Sequence, residues 1–302
     1  MNPQFSRFKE YLQKTKGLSQ NSVAAYLRDL PDFQRFLADK GIHELNSASK
    51  ADVAAWLLNL KKENMSAATV NRKLASIRAY YKFLVDCGEL PADPTLGIKS
   101  PRIERQVIQY LTMEEIDRLL SSPPDTDIGG RDLAILEMLY ATGLRVTELM
   151  FANIGDVNLR MGFVECSGAY GKARIVPLGR PARAALEKYI YDIRPNFRKI
   201  NEAGSHASKD DGALFLNYYG ERITRQALWK ILKSYSEKAG IDQKITPQIL
   251  RNSFAVHMIQ NGADLKTIQE LMGHEDPIAT QAYLSVSRNR IKDVYESSHP
   301  RA

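Results

Sequence analysis

Cysteine is scarce in this chain: two of 302 residues, Cys87 and Cys166. They lie far apart and in no metal-type spacing, which excludes a disulfide framework and leaves each as a small core residue. Histidine is scarce too, five in all, and no HExxH pattern occurs, so no metal site and no cofactor are expected. Long apolar runs are missing; none approaches the ~20 residues that a membrane span needs. Met1 to Lys16 alternates charge with aromatics and has no apolar core, so it is not expected to act as a signal peptide. Internal repeats and low-complexity tracts are also absent. These gaps exclude the membrane, secreted and disulfide-rich classes and leave a cytoplasmic protein as the expectation.

What is present is positive charge. The formal net charge is +7, with 44% hydrophobic and 25% charged residues, an ordinary globular composition whose length suggests two domains. Surplus basic charge is the usual electrostatic footprint of nucleic-acid binding, although many basic proteins bind no DNA.

The first 95 residues read as helical. Ser19 precedes a stripe of Val23, Tyr26, Leu27, Leu30, Phe33 and Leu37, with Pro31 inside it expected to kink or split the helix. Ser49 with Asp52 forms a cap ahead of Val53, Trp56, Leu57 and Leu60. Ser66 opens a helix with Val70, Leu74, Ile77, Tyr80, Tyr81 and Leu84 on one face and Arg72, Lys73, Arg78 and Lys82 on the other. That second face is either a plain solvated surface or a grip for DNA. Residues 96–109 read as a linker, within a stretch holding Pro91, Pro94, Gly97, Pro101, Arg102 and Arg105 and showing no helical or strand period.

A second domain, residues 110–302, opens with the capping-box pair Thr112 and Glu115. Arg131 to Ala141 is helical, ended by Gly143. Phe163–Cys166 and Ala173–Leu178 read as strands of a small antiparallel sheet, and Ala213–Asn217 as another short strand. Helices are expected at Pro181–Ile193, Thr224–Ala239, from Thr246-Pro247, at Leu265–Met272 capped by Asp264, and from Asp276-Pro277 through Tyr283. A last short helix spans Arg288–Glu296. The fold class is mainly α with a small antiparallel sheet.

Unusual polar groups stand at ends and turns of these elements: Arg145, Lys172, Arg251, His274 and, nine residues on, Tyr283. Each alone has a plain structural reading. Arg145 can pair with Glu148, Lys172 can be a solvated turn residue, Arg251 a surface residue, and His274 a partner of the helix dipole. Tyr283 can be a core aromatic.

In context they form a pattern. Ala141-Thr142-Gly143-Leu144-Arg145-Val146-Thr147-Glu148-Leu149 and Leu250-Arg251-Asn252-Ser253-Phe254-Ala255 resemble the two arginine motifs of the tyrosine recombinase (phage integrase) family. Leu271-Met272-Gly273-His274 followed by Tyr283 resembles its Leu-Gly-His box and nucleophile, and Gly171-Lys172 before a strand resembles its hairpin lysine. The motifs run in family order, and the resemblance covers nearly the whole chain, in the short two-domain Xer-like layout.

The resemblance implies a helical core-binding domain, a mixed catalytic domain, and a C-terminal tail that docks on a neighbouring subunit. It implies DNA strands cut and rejoined through a 3′-phosphotyrosine on Tyr283, two DNA sites synapsed by a homotetramer or by a paired recombinase, and no cofactor. Physical chemistry agrees. Two guanidiniums can clamp the non-bridging oxygens of a phosphodiester with bidentate charge-assisted bonds, which suits Arg145 and Arg251. Lys172 would protonate the leaving 5′ oxygen, since burial and nearby cations lower a lysine toward neutrality. His274 would hydrogen-bond the phosphate. Exchanging one phosphodiester for another keeps the bond energy, so no ATP is needed.

One position departs from the family pattern: a histidine is usual three residues before the second arginine, where this chain has Gln248. Glutamine cannot take a proton at neutral pH, and such help is typically worth about 10²–10⁴ in rate. A slower cleavage step, or one leaning on a partner subunit, is the expectation. The rivals are a catalytically weak or inactive DNA-binding homologue and a type IB topoisomerase-like enzyme acting as a monomer.

Overall fold

Capping residues set most of the element boundaries. A computed structural model of the chain describes residues 3–102, 107–167, 173–203, 212–274 and 277–283. The chain divides into two compact units, Met1–Gln106 and Val107–Ala302.

The first unit is helical: α1 (Pro3–Lys14), α2 (Gln20–Ala38), α3 (Lys50–Lys62) and α4 (Ala67–Asp86). Ser19 caps α2, Ser49 and Asp52 form a reciprocal capping box on α3, and Ser66 caps α4, each accepting from a backbone N–H left without a helical partner. Phe8, Phe33, Trp56, Tyr80 and Tyr81 fill the core. Of the kink or split expected at Pro31, the split does not occur: α2 is continuous through it. Leu30 and Phe33 on either side are fully buried, and that packing outweighs the lost backbone bond. Residues 98–101, read from sequence as part of a linker, are fastened along α4: Asn71 donates to the Pro101 carbonyl at 2.9 Å, and Arg78 to the Ile98 carbonyl and to Ser100 Oγ.

The second unit contains α5 (Met113–Leu120), α6 (Asp127–Thr142), α7 (Val146–Phe151), strands β1 (Val157–Asn158), β2 (Phe163–Ser167) and β3 (Ala173–Pro177), then α8 (Arg180–Lys188), a π-helical turn over Tyr189–Ile193, and α9 (Arg194–Ala203). It continues with α10 (Arg225–Lys238), α11 (Pro247–Gln260), α12 (Leu265–Met272) and α13 (Pro277–Gln281). The sheet is antiparallel, in order β1-β2-β3, with Val164 opposite Val176; both are buried in the main core beside α6 and α8 residues. Ala213–Asn217 makes only isolated bridges, Asn153 to Ala213 and Leu216 to Arg222, rather than a strand. The helix expected over Pro181–Ile193 begins at Arg180 and passes through the π turn into α9. Tyr283 lies in a turn just past α13, not inside a helix. Lys172, Arg105 and the expected helix Arg288–Glu296 lie outside the described residues.

Candidate active site

A helix end leaves its last carbonyls without partners and carries partial negative charge. At the C-terminus of α12 three arginines supply what is missing. Arg174 Nε donates to the Leu271 carbonyl at 2.7 Å, Arg251 Nη2 to Met272 at 2.6 Å, and Arg145 Nη2 to Gly273 at 2.5 Å. Three consecutive carbonyls thereby draw together cations from β3, α11 and the start of α7. Gly273 ends α12 at φ 60°, and a Cβ there would lie 2.9 Å from Arg174 Nη1. Only glycine suits both the turn and the close guanidinium.

The second junction is Gly143, which ends α6 at φ 57°; a Cβ there would meet Phe254 Cδ1 of α11 at 2.5 Å. This contact seats the end of α6 on α11, and the Gly143 carbonyl accepts from Arg251 Nη1. Arg251 is 3% exposed. Burial and the charge of Arg145 lower its guanidinium to about 10, so it remains cationic at neutral pH.

Glu148 organises the other two arginines. It accepts from the Arg145 backbone N–H at 2.7 Å and from Arg145 Nη1 at 3.0 Å, and takes a bidentate pair from Arg174 at 2.6 and 2.9 Å. Burial works to raise its carboxyl, but the hydrogen bonds from Arg174 and Arg145 prevail and hold it below the usual carboxylate range. Three cations therefore meet one carboxylate, and Arg251 has only neutral acceptors among the described residues. Surplus positive charge held in fixed geometry is an anion site.

His274 Nε2 lies 3.0 Å from Arg251 Nη2, and its Nδ1 lies 2.8 Å from Thr280 Oγ1. A guanidinium can only donate, so Nε2 accepts and the ring proton sits on Nδ1, facing Thr280. Burial and then Arg251, Arg145 and Arg174 lower the imidazole to about 4, so it is neutral at pH 7. In this tautomer Nε2 has no proton for a phosphate. His274 thus meets Arg251 directly in the DNA-free chain.

Tyr283 packs with Phe254, Val256, Ile268 and Met272. Its backbone N–H donates to the Thr280 carbonyl at 3.1 Å and its hydroxyl to Asn252 Oδ1 at 3.0 Å. Burial raises the phenol above its usual value, and Arg251 opposes that rise. Gln248 is exposed and does not bond Tyr283; its Nε2 donates to the same Asn252 Oδ1 at 2.9 Å.

The structure thus joins Arg251 and His274 by a direct contact and brings Arg145 beside them through the adjacent Met272 and Gly273 carbonyls. Tyr283 is linked to them by Asn252, next in sequence to Arg251, and by Thr280. Sequence reading missed Arg174, Asn252 and Thr280. Arg174 had a signal: it shares the inner face of β3 with buried Val176, an unusual place for an arginine. Asn252 had one as well, four residues from Gln248 on a helix. On the first unit, Lys73 is turned inward, 2.5 Å from Asp32 and 3.7 Å from Asp29, and Arg72 pairs with Asp29. Lys73 therefore does not belong to an open basic face. Lys82 is exposed and has no ion pair among the described residues. No group of three or more His, Cys, Asp or Glu side chains gathers among the described residues.

Clustered guanidiniums lie beside a buried tyrosine on a helical scaffold with a three-stranded sheet. The "Phage integrase family" pattern matches residues 109–290, and "Phage integrase, N-terminal SAM-like domain" matches residues 5–88. Tyrosine recombinase XerD of Oceanobacillus iheyensis is 43% identical over 299 residues, covering 98% of this chain and 97% of that protein. Tyrosine recombinase XerD of Listeria monocytogenes is 40% identical over 304 residues, covering all of both. Among solved structures, XerH site-specific recombinase bound to palindromic difH substrate in a post-cleavage complex superposes with a TM-score of 0.75 at 18% identity, over 96% of this chain and 83% of that one. A lambda integrase dimer bound to a COC′ core site gives 0.71 at 15% identity, over 94% of each chain. The chain belongs to the phage integrase family: it is a tyrosine site-specific recombinase, which cuts and rejoins DNA strands.

Proposed function

We propose that Tyr283 is the nucleophile, attacking a DNA phosphodiester whose non-bridging oxygens are held by Arg145 and Arg251, to leave a 3′-phosphotyrosyl link and a free 5′ hydroxyl. The observation that carries this reading is the row of three carbonyls ending α12, which gathers three arginines around the single carboxylate of Glu148 and leaves positive charge in surplus. A phosphate entering there meets charge already in place, so little reorganisation is needed at the moment of reaction. Arg174 holds Glu148 and through it Arg145. Lys172 donates the proton to the leaving 5′ oxygen, a role supported by its place in the hairpin motif alone.

Strand exchange needs two duplexes, so the working form is a tetramer, of this chain alone or with a second recombinase, on a duplex site in the bacterial nucleoid. Support comes from the relatives' names and from the DNA-bound state of the structural neighbours. Lys82 and Arg78 of the first unit contribute phosphate contacts, Lys82 most directly, whereas Arg72 is paired with Asp29. Affinity should then fall steeply with salt.

The test is covalent capture. The purified chain is incubated with a genomic DNA library, denatured, and the attached fragments are sequenced. The reading expects one recurrent site and an adduct that Tyr283→Phe lacks. A wild-type protein that binds DNA but captures none would overturn it in favour of a binding module, and relaxed circles without recombinant products would favour the topoisomerase.

A further inference from the structure

The usual histidine position, 248, does not reach the nucleophile here; a different side chain does. Asn252 Oδ1 accepts from the Tyr283 hydroxyl at 3.0 Å and from Gln248 Nε2 at 2.9 Å, while its Nδ2 donates to the Gln109 carbonyl at 2.9 Å. An amide can face either way, and these partners fix which way. A carbonyl accepts only, so it must meet the NH₂ end, and the oxygen is left for Tyr283 and Gln248. The Gln109 segment is itself tied down, because the Leu111 N–H donates to Ser253 Oγ at 2.8 Å and Gln243 Nε2 to the Tyr110 carbonyl at 3.2 Å.

We infer that Asn252 is the positioning residue for the nucleophile, with Gln248 as its support: the amide holds the phenolic O–H along one direction and leaves an oxygen lone pair facing away from it, available to phosphorus. This rests on the reading of Tyr283 as nucleophile. The amide receives the hydrogen bond but cannot take the proton. In the cleavage step the phenolic O–H and P–O5′ bonds break, the Tyr283 O–P bond forms, the phenolic proton passes to solvent hydroxide, and the leaving oxygen gains a proton from the general acid. Cleavage therefore rises with pH above neutrality, without the plateau near pH 6–7 that a histidine base gives.

The test uses the full-length protein and a nicked suicide duplex built from the captured site. Asn252→Ala, which removes the acceptor, should cleave at least tenfold more slowly at pH 7.5. Asn252→Asp keeps the outline and can accept the proton but loses the donor to the Gln109 carbonyl, so it should cleave faster than Asn252→Ala at pH 7.5 and level off at high pH. A second readout needs no activity: ultraviolet titration of tyrosine in the DNA-free protein, referenced to Tyr283→Phe. Because a bond accepted from the neutral phenol disfavours its ionisation, the Tyr283 titration should move down in Asn252→Ala and up in Asn252→Asp. Unchanged titration in both variants, or an Asp variant slower than the Ala variant, would overturn the inference while leaving the nucleophile assignment intact. Absence of any Tyr283-dependent adduct in the wild type would instead remove the reading beneath it.

Discussion

The two units treat their cations in opposite ways. On α4, Lys73 and Arg72 are turned onto Asp29 and Asp32, carboxylates that cancel their charge. Around the end of α12, Arg145, Arg174 and Arg251 each donate to a backbone carbonyl and share the single carboxylate of Glu148, which pairs with Arg145 and Arg174 and leaves Arg251 with neutral acceptors among the described residues. A carbonyl orients a guanidinium without adding an opposing charge; a carboxylate orients it and offsets its charge. The same residue types therefore stabilise the fold in one unit and, in the other, leave surplus positive charge of the kind the proposed phosphate site needs. A count of arginines and lysines does not distinguish the two.

The largest effect should follow from breaking the carbonyl-held set. Arg251→Ala should slow suicide-substrate cleavage by roughly 10²–10³, about the loss of one preorganised donor, with much less effect on DNA affinity measured by filter binding. Arg251→Lys should recover little, because an ammonium cannot span the Gly143 and Met272 carbonyls as the fork does. Cleavage loss no greater than in Lys82→Ala would erase the contrast.

Next comes the one carboxylate of the site. Glu148→Gln leaves two arginines crowded without a counter-charge, and should cost about 3 kcal/mol of stability in urea unfolding, the scale of a broken buried pair. Unaltered unfolding would show that the carbonyls alone suffice.

His274 gives a pH signature. Its folded value of about 4 lies below the unfolded 6.5, so between these values the unfolded chain binds a proton that the native site refuses. Its stabilisation is complete above about pH 6.5 and is lost as pH falls toward 4. The difference in urea midpoint between wild type and His274→Gln should shrink as pH drops from 7 to 4.5; a constant difference would contradict the assignment.

The smallest effect belongs to the first unit. Lys82→Ala should lower the slope of log affinity against log salt by about one, whereas Lys73→Ala should change stability and leave the slope nearly unaltered.

Much of the scaffold was legible because caps act locally. Ser19, Ser49 with Asp52, Thr112 with Glu115, Asp264 and Gly273 each mark a helix end by satisfying nearby backbone groups. Non-local packing was not legible. Pro31 looked like a break, yet Leu30 and Phe33 carry α2 through it. Ala213–Asn217 had strand composition but found only single bridges. At the site, motif spacing brought out Arg145, Arg251, His274 and Tyr283, since those stand in recognisable local contexts. Arg174 and Asn252 were hidden because their roles come from partners 26 and 31 residues away, Glu148 and Tyr283. The inward turn of Lys73 was hidden likewise, since its acids lie on α2.

The central claim, that a phenolic oxygen attacks a phosphate seated among guanidiniums in excess of their one carboxylate, is tested most directly by finding which residue carries DNA. A suicide substrate with the captured sequence is cleaved, the adduct digested with protease and nuclease, and the modified peptide sequenced by mass spectrometry. The account predicts a nucleotide on Tyr283 through its 3′ phosphate. A nucleotide on any other side chain, or an adduct of undiminished yield in Tyr283→Phe, would contradict it.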